Sequence, residues 1–298
     1  MKGLSHLGRP SSAAAVGGRG PGIARPETPG VRAAFREVLR SRRFLVVAHR
    51  GASAYAPENT LEAFDLACTL GAEVIELDVH LTGDGEVVVM HDERVDRTTD
   101  GLGEIASTTL AEIRALDAGA WFGEQFQGVR VPTLADVLER FAGRVLIDIE
   151  LKAGVTVGWP SGVTEDAAVS TMLATKVLEV VQRAGASERV VISSAGTHGI
   201  TRARETARDV AVQWSVFTLD IGAEVASAAE ARFDVISPQD YAATESNVAV
   251  AHARGLAVHI YTRGEDDRVA RLIDMGTDAV KTGRPDTLRA VAVRLGRA

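Results

Sequence analysis

The feature that most constrains this chain is a regular alternation of short apolar runs with helical segments, sustained from residue 44 to the C-terminal end. Runs of three to seven residues predict strands at 44–48, 73–79, 144–150, 190–193, 210–216, 235–237, 257–261 and 279–281. Segments with helical spacing fall between them, at 61–71, 134–141, 167–184, 198–207, 223–231, 246–254 and 266–275, and a last one at 285–294 closes the chain. Eight strands, each leading to a helix, fit an α/β fold of the (β/α)8 TIM-barrel type. A doubly wound sheet alternates in the same way, but no GxGxxG lies between the first strand and its helix. A Gly83–Asp84–Gly85 turn predicts one extra strand at 86–90, paired as a hairpin with the second. The stretch 93–134 is too long for an ordinary strand-to-helix connection and carries its own short helix at 110–116. It is expected to be a small inserted subdomain over the strand ends.

Ahead of the barrel, residues 1–30 are rich in Gly, Pro, Ala, Ser and Arg without periodicity, the composition of a disordered tail. Residues 31–43 predict a short capping helix, so the barrel unit is expected to span 44–298. The 298-residue length suits one such barrel. A formal net charge of −7 argues against a nucleic-acid partner. No apolar run approaches the ~18 residues of a membrane span. No apolar segment follows Lys2 as a secretory signal would require. Cys68 is the only cysteine, which excludes an intrachain disulfide and marks it as an apolar filler. A cytoplasmic protein is the expectation, and nothing in the sequence specifies an oligomer.

In a barrel, active sites lie at the C-terminal ends of the strands. His49, Arg50, Glu76, Asp78, Glu150 and Lys152 fall there. Glu76 and Asp78 stand two apart on one strand and so face the same way. Glu150 joins them from the neighbouring strand. Three converging carboxylates repel one another unless a hard divalent cation, Mg²⁺ or Ca²⁺, takes them as ligands. The other solution is pairing with barrel cations, Lys152 serving Glu150. His49 and His91 each sit where a strand meets a loop, and beside a carboxylate cluster two histidines can divide general base and general acid work. Arg50 offers a fork of donors suited to a phosphate or carboxylate, or neutralises a nearby acid. Glu58 and Asn59 cap the following helix or reach the same edge.

Four ordered motifs carry a resemblance: His49–Arg50–Gly51, Pro57–Glu58–Asn59–Thr60, Glu76–Leu77–Asp78–Val79 and His91–Asp92. With RTTDGLGEI, LDAGAWF, VPTLADVL and DIELK, they resemble the glycerophosphodiester phosphodiesterase family from about residue 44 to 288. The resemblance implies a TIM-barrel hydrolase that cleaves a small-molecule glycerophosphodiester to glycerol 3-phosphate and an alcohol. It implies His49 and His91 as the acid–base pair, and Glu76, Asp78 and Glu150 as ligands of one divalent cation, Mg²⁺ or Ca²⁺, with Mn²⁺ also usable. Arg50, Lys152 and Glu58 then lie at the phosphate, and the substrate's own 2-hydroxyl is the implied first nucleophile.

Two segments depart from the family pattern. Tyr261–Thr262–Arg263–Gly264 stands where a Trp-Thr-Val-Asn segment is usual, and Thr282–Gly283–Arg284–Pro285 where Thr-Asp-Xaa-Pro is usual. Tyr261 keeps an aromatic wall for the substrate, while Arg263 and the missing acid at Gly283 make that rim more positive. The expectation is a more anionic head group, unless Arg263 pairs with Glu265 or Asp266. Two other readings compete with this one. One is a lysophospholipase D-like or sphingomyelinase D-like lipid phosphodiesterase, for which Trp121, Phe122 and Phe126 would form an apolar lip. The other is a catalytically silent barrel that binds a phosphorylated ligand.

Overall fold

The computed structural model describes residues 34–152, 154–158 and 162–297. The tail expected at 1–30 lies outside the described residues. In chain order the elements are α1 (Phe35–Arg40), β1 (Leu45–Ala48), α2 (Leu61–Thr69), β2 (Val74–Leu81), β3 (Val87–Val89), α3 (Leu110–Ala115) and α4 (Leu134–Phe141). Then come β4 (Leu146–Leu151), β5 (Val155–Gly158), β6 (Gly162–Glu165), α5 (Ala167–Arg183), β7 (Val190–Ser194), α6 (His198–Thr206) and β8 (Ala211–Val216). The last are α7 (Gly222–Glu230), β9 (Val235–Pro238), α8 (Glu245–Ala253), β10 (Ala257–Tyr261), α9 (Asp266–Asp274), β11 (Ala279–Thr282) and α10 (Pro285–Arg294).

Eight strands pair in parallel in the order β1–β2–β4–β7–β8–β9–β10–β11, and β11 closes on β1 with Leu45 opposite Ala279. This is the expected (β/α)8 barrel. Alternation along the strands decides what lies inside. Val46, Ala48, Ile75, Leu77, Ile147 and Ile149 join the large apolar layer shared with the surrounding helices. Their neighbours in sequence, starting with Leu45, Val74, Leu146 and Val191, point inward. At the N-terminal end of the barrel every strand contributes such a residue to one cluster with Phe35, Val38 and Leu39 of α1. The helix is therefore a plug. It closes one end with apolar side chains and leaves polar chemistry to the other.

Above the plug the interior turns polar. Asp148 forms an ion pair with Lys281 and accepts a hydrogen bond from Ser193 Oγ at 2.6 Å, and all three side chains are buried. Buried charges persist only when paired in this way.

Helix starts follow local chemistry. Thr60, Thr109, Thr133, Asp166 and Thr244 each accept a backbone N–H as N-cap, and Thr109 and Thr133 do so within full capping boxes. β3 is antiparallel to β2, as the glycine turn predicts. The segment after it packs Val95, Ile105, Ile113, Ala118 and Val131 against Val88 and Met90, a core separate from the barrel's. The β5–β6 hairpin has no sequence signature, because neither of its faces packs on a core: Val157 and Val163 are exposed.

Candidate active site

The C-terminal rim of β1 turns through an unusual backbone. Arg50 has φ +55° and Gly51 φ +79°, and a Cβ at Gly51 would lie 2.7 Å from the Ala63 carbonyl carbon at the start of α2. Only glycine fits there. A left-handed arginine costs on the order of 1 kcal/mol or more and persists where the surroundings hold it. Here the Arg50 amide donates to Glu76 Oε2 at 2.7 Å, Nη1 donates to Glu58 Oε1 at 2.9 Å, and Nε lies 3.3 Å from Asp78 Oδ2. The turn carries the guanidinium to Glu58 and Asp78.

β2 runs on to Leu81, so Glu76 lies within the strand, deeper than a strand-end position. Its parity places Glu76 and Asp78 inside, both 1% exposed. Register pairs Asp78 with Glu150 of β4. One carboxylate oxygen from each of Glu76, Asp78 and Glu150 lies within 4.8 Å of the others. Asn59, at φ +60°, secures Asp78 by donating Nδ2 to Oδ2 at 2.9 Å and accepting the Asp78 amide at 3.3 Å. Thr60 caps α2, which leaves Asn59 free for this task.

Electrostatics divides the triad. Burial, then the charge of Asp78, pushes the Glu76 carboxyl well above its ordinary value. Burial acts in the same direction on Glu150, but Lys152, donating Nζ to Oε1 at 3.1 Å, and the charge of Lys281 hold its carboxyl below the ordinary value. Asp78 Oδ1 is buried without a hydrogen-bond donor. An orphaned buried oxygen, a carboxyl forced toward protonation and three convergent hard donors fit a divalent cation. The pairing of Lys152 with Glu150 also exists, so a fit to a cation and pairing with a barrel lysine are compatible in this triad.

His49 stacks on Tyr261 at a centroid distance of 4.1 Å, and neither ring nitrogen is engaged by protein among the described residues. Burial first, then the charge of Arg50, lowers its pKa well below the ordinary histidine value, so the ring stays neutral. His91 differs. Its Nδ1 donates to Asp92 Oδ1 at 2.6 Å, and its carbonyl faces Nε2 of buried His80 at 3.0 Å. Asp92 fixes the tautomer with Nδ1 protonated and Nε2 open to the site.

Both histidines, Arg50, Glu76, Glu150, Lys152 and Tyr261 line one cavity of about 1100 Å³. Glu58 lines a smaller adjoining cleft of about 290 Å³, with Arg263 and Arg284. Both Glu58 oxygens are taken by arginines, Oε1 by Arg50 and Arg97 and Oε2 by Arg97. Arg263 makes no ion pair with Glu265 or Asp266; its Nε donates to Tyr261 Oη at 2.6 Å. Gly283 has a packing reason: a Cβ would sit 2.6 Å from Ser53 Oγ. Trp121, Phe122 and Phe126 stack edge to face on one another and line neither the cavity nor the cleft.

Sequence reasoning gave no role to His80, Asp92, Arg97, Asp148 or Lys281, although Asp92, Arg97 and Asp148 lie in the motifs that carry the resemblance. His80, two beyond Asp78, and Lys281, two beyond inward Ala279, were within reach of the alternation argument. Arg97 opens the RTTDGLGEI segment, but strand parity does not reach it and its contacts depend on the path of a loop.

Comparison with known proteins agrees with this geometry. The model of the glycerophosphoryl diester phosphodiesterase family matches residues 49–287. A glycerophosphodiester phosphodiesterase of Bacillus subtilis (strain 168) is 34% identical over 281 residues, covering 89% of this chain and 92% of the relative. One from Caldanaerobacter subterraneus subsp. tengcongensis is 35% identical over 252 residues, covering 82% and 96%. Among solved structures, an Oleispira antarctica phosphodiesterase in complex with the product sn-glycerol-3-phosphate superposes with TM-score 0.76 at 27% identity, covering 86% of this chain and 99% of that one. Barrel, acidic triad and the extent of these matches lead to one conclusion: the chain belongs to the glycerophosphoryl diester phosphodiesterase family, and is a phosphoric diester hydrolase.

Proposed function

We propose that this protein hydrolyses glycerophosphodiesters to glycerol 3-phosphate and an alcohol, with Glu76, Asp78 and Glu150 holding one divalent cation and His49 and His91 sharing the proton transfers. The observation that carries this proposal is one cavity lined by two histidines with different ring partners, by an arginine and by Glu76 and Glu150 of the carboxylate triad. An all-oxygen donor set suits Mg²⁺ or Ca²⁺, with Mn²⁺ also usable. Such an ion, when bound, would neutralise charge on the non-bridging phosphate oxygens.

The remaining work falls to the chain's own side chains. Arg50 donates to a non-bridging oxygen, and Lys152 keeps Glu150 ionised as a ligand. His49, neutral and without a protein partner on its ring, accepts the proton of the attacking hydroxyl. His91, whose Nδ1–H rests on a carboxylate, carries the proton that Nε2 delivers to the departing alkoxide. In the first step the glycerol 2-hydroxyl oxygen bonds to phosphorus and the alcohol leaves, giving a cyclic phosphate. In the second, water gives a proton to His91 as its oxygen bonds to phosphorus, the ring oxygen at glycerol C2 leaves and takes the proton held by His49, and glycerol 3-phosphate is released. Tyr261 braces the His49 ring.

The barrel and the segment 93–134 act as one catalytic unit, since the loop bearing His91 leads directly into that segment. The lipid-directed alternative has no support in the cavity lining, where the insertion's aromatic trio is missing. A cytoplasmic location is in keeping with a lone cysteine and with no described helix long and apolar enough to cross a membrane.

The test is a glycerophosphodiester beside its analogue lacking the 2-hydroxyl. Turnover of the first and none of the second is expected; equal turnover would exclude the cyclic route. His49→Ala and His91→Ala should each lower kcat by about 10²–10⁴-fold, and a loss below tenfold in both would remove their assignment.

A further inference from the structure

Between the two halves of the site runs a ladder of alternating charges whose central rung is Arg97, contributed by the insertion. Arg97 Nε donates to Asp92 Oδ2 at 2.6 Å and Nη2 to Asp92 Oδ1 at 3.0 Å. The same guanidinium donates from Nη1 to Glu58 Oε2 at 3.0 Å and from Nη2 to Glu58 Oε1 at 2.7 Å. Asp92 in turn accepts from His91 Nδ1, and Glu58 from Arg50 Nη1. We infer that Arg97 is a positioning residue for phosphodiester hydrolysis: it fixes the carboxylate that orients His91 and the carboxylate that orients Arg50, so acid–base group and phosphate clamp are set by one guanidinium.

Three observations carry this inference. Isolated surface ion pairs contribute little, but bidentate arginine pairs joined in a network are the exception. Arg97 forms two such forks at once, and the Glu58 side chain is only 13% exposed. Second, each carboxylate has its oxygens committed: Asp92 to His91 and Arg97, Glu58 to Arg50 and Arg97. Removing Arg97 frees both to rotate on their loops. Third, Arg50 sits in a left-handed backbone conformation that its side-chain partners hold in place. An ammonium cannot replace this arrangement, because Lys has no planar fork and cannot serve four carboxylate oxygens in one plane.

The inference rests on the proposed roles of His91 and Arg50, and the experiment separates the two levels. Arg97→Met, Arg97→Gln and Arg97→Lys are assayed for kcat and KM on one glycerophosphodiester with saturating Mg²⁺, beside His91→Ala, with folding checked by circular dichroism and Tm. The expected result is a loss of about 10–100-fold in kcat/KM, with Arg97→Lys as impaired as the other two to within about threefold. Two double-variant cycles then resolve the halves. In an Asp92→Asn background Arg97→Met should no longer lower kcat, and in a Glu58→Gln background it should no longer raise KM. A merely structural role would lower Tm and act alike in both backgrounds. Wild-type kinetics in Arg97→Lys, or additive effects in both cycles, would overturn the inference. If His91→Ala itself kept wild-type kcat, the proposed mechanism would fail. Loss in His91→Ala with all Arg97 variants within twofold of wild type would overturn the Arg97 inference alone.

Discussion

Glu76→Gln should make the metal-free protein more stable while destroying its activity. Asp78 and Glu150 each lie beside a cation, Arg50 and Lys152, but among the described residues Glu76 forms no ion pair and takes only the Arg50 amide. At the 4.8 Å limit separating the triad's oxygens, two carboxylates repel by ~3.5 kcal/mol at an effective dielectric of 20. The raised pKa of Glu76 relieves part of this, so neutralisation by Gln should recover about 1–2 kcal/mol, or roughly 2–8 °C in Tm. The amide oxygen of Gln can still accept from the Arg50 amide. The pH dependence follows from the direction of the shift. The folded-state pKa of Glu76 is raised, so between the ordinary value of 4.5 and that raised value the native chain holds a proton that the unfolded chain has released. The contribution of Glu76 to metal-free stability therefore falls with rising pH across that window. Below pH 4.5 both proteins carry a neutral group at this position, and their melting temperatures should converge. Scanning fluorimetry in chelator from pH 4 to 8, repeated with Mg²⁺, reads all of this. A Gln variant melting at or below wild type at pH 7.5 in chelator, or one stabilised by Mg²⁺ as much as wild type, would refute the reasoning.

Two further outcomes are expected. Phe35→Ala, which removes the fully buried ring of the N-terminal plug, should cost ~3–5 kcal/mol in urea unfolding and leave kcat per folded molecule unchanged, because the plug lies at the opposite end from the triad. Tyr261→Ala should lower kcat/KM by about 2–10-fold through the lost stack on His49, worth ~0.5–1.5 kcal/mol, whereas Tyr261→Phe should retain it.

Much of this site was legible before any coordinates, for a physical reason. Strand parity puts Glu76 and Asp78 on one face whatever the loops do, and neighbouring strands carry Glu150 to them. Strand–loop junctions likewise locate His49 and His91. Contacts that depend on loop paths were not legible. The resemblance implies a place near the phosphate for Glu58 but not the hold of Arg50 and Arg97 on its oxygens. The sequence leaves Arg263 to face the rim or to pair with Glu265 or Asp266; it pairs with neither acid, donates to Tyr261 and lines the cleft. The β5–β6 hairpin escaped notice because a strand pair without a buried face leaves no apolar alternation to detect. Cys68 is partly buried against the main core, as a filler would be, and burial pushes its thiol up to about 11.

The central claim is that hydrolysis runs on a divalent cation held by Glu76, Asp78 and Glu150. The most direct measurement is glycerol 3-phosphate release from a glycerophosphodiester by chelator-stripped protein, before and after addition of Mg²⁺, Ca²⁺ or Mn²⁺, in wild type and Asp78→Asn. The account predicts no release after stripping, recovery of wild-type activity with at least one of the three ions, and none in the variant. Full activity in the stripped protein, or recovery in Asp78→Asn equal to wild type, would contradict it.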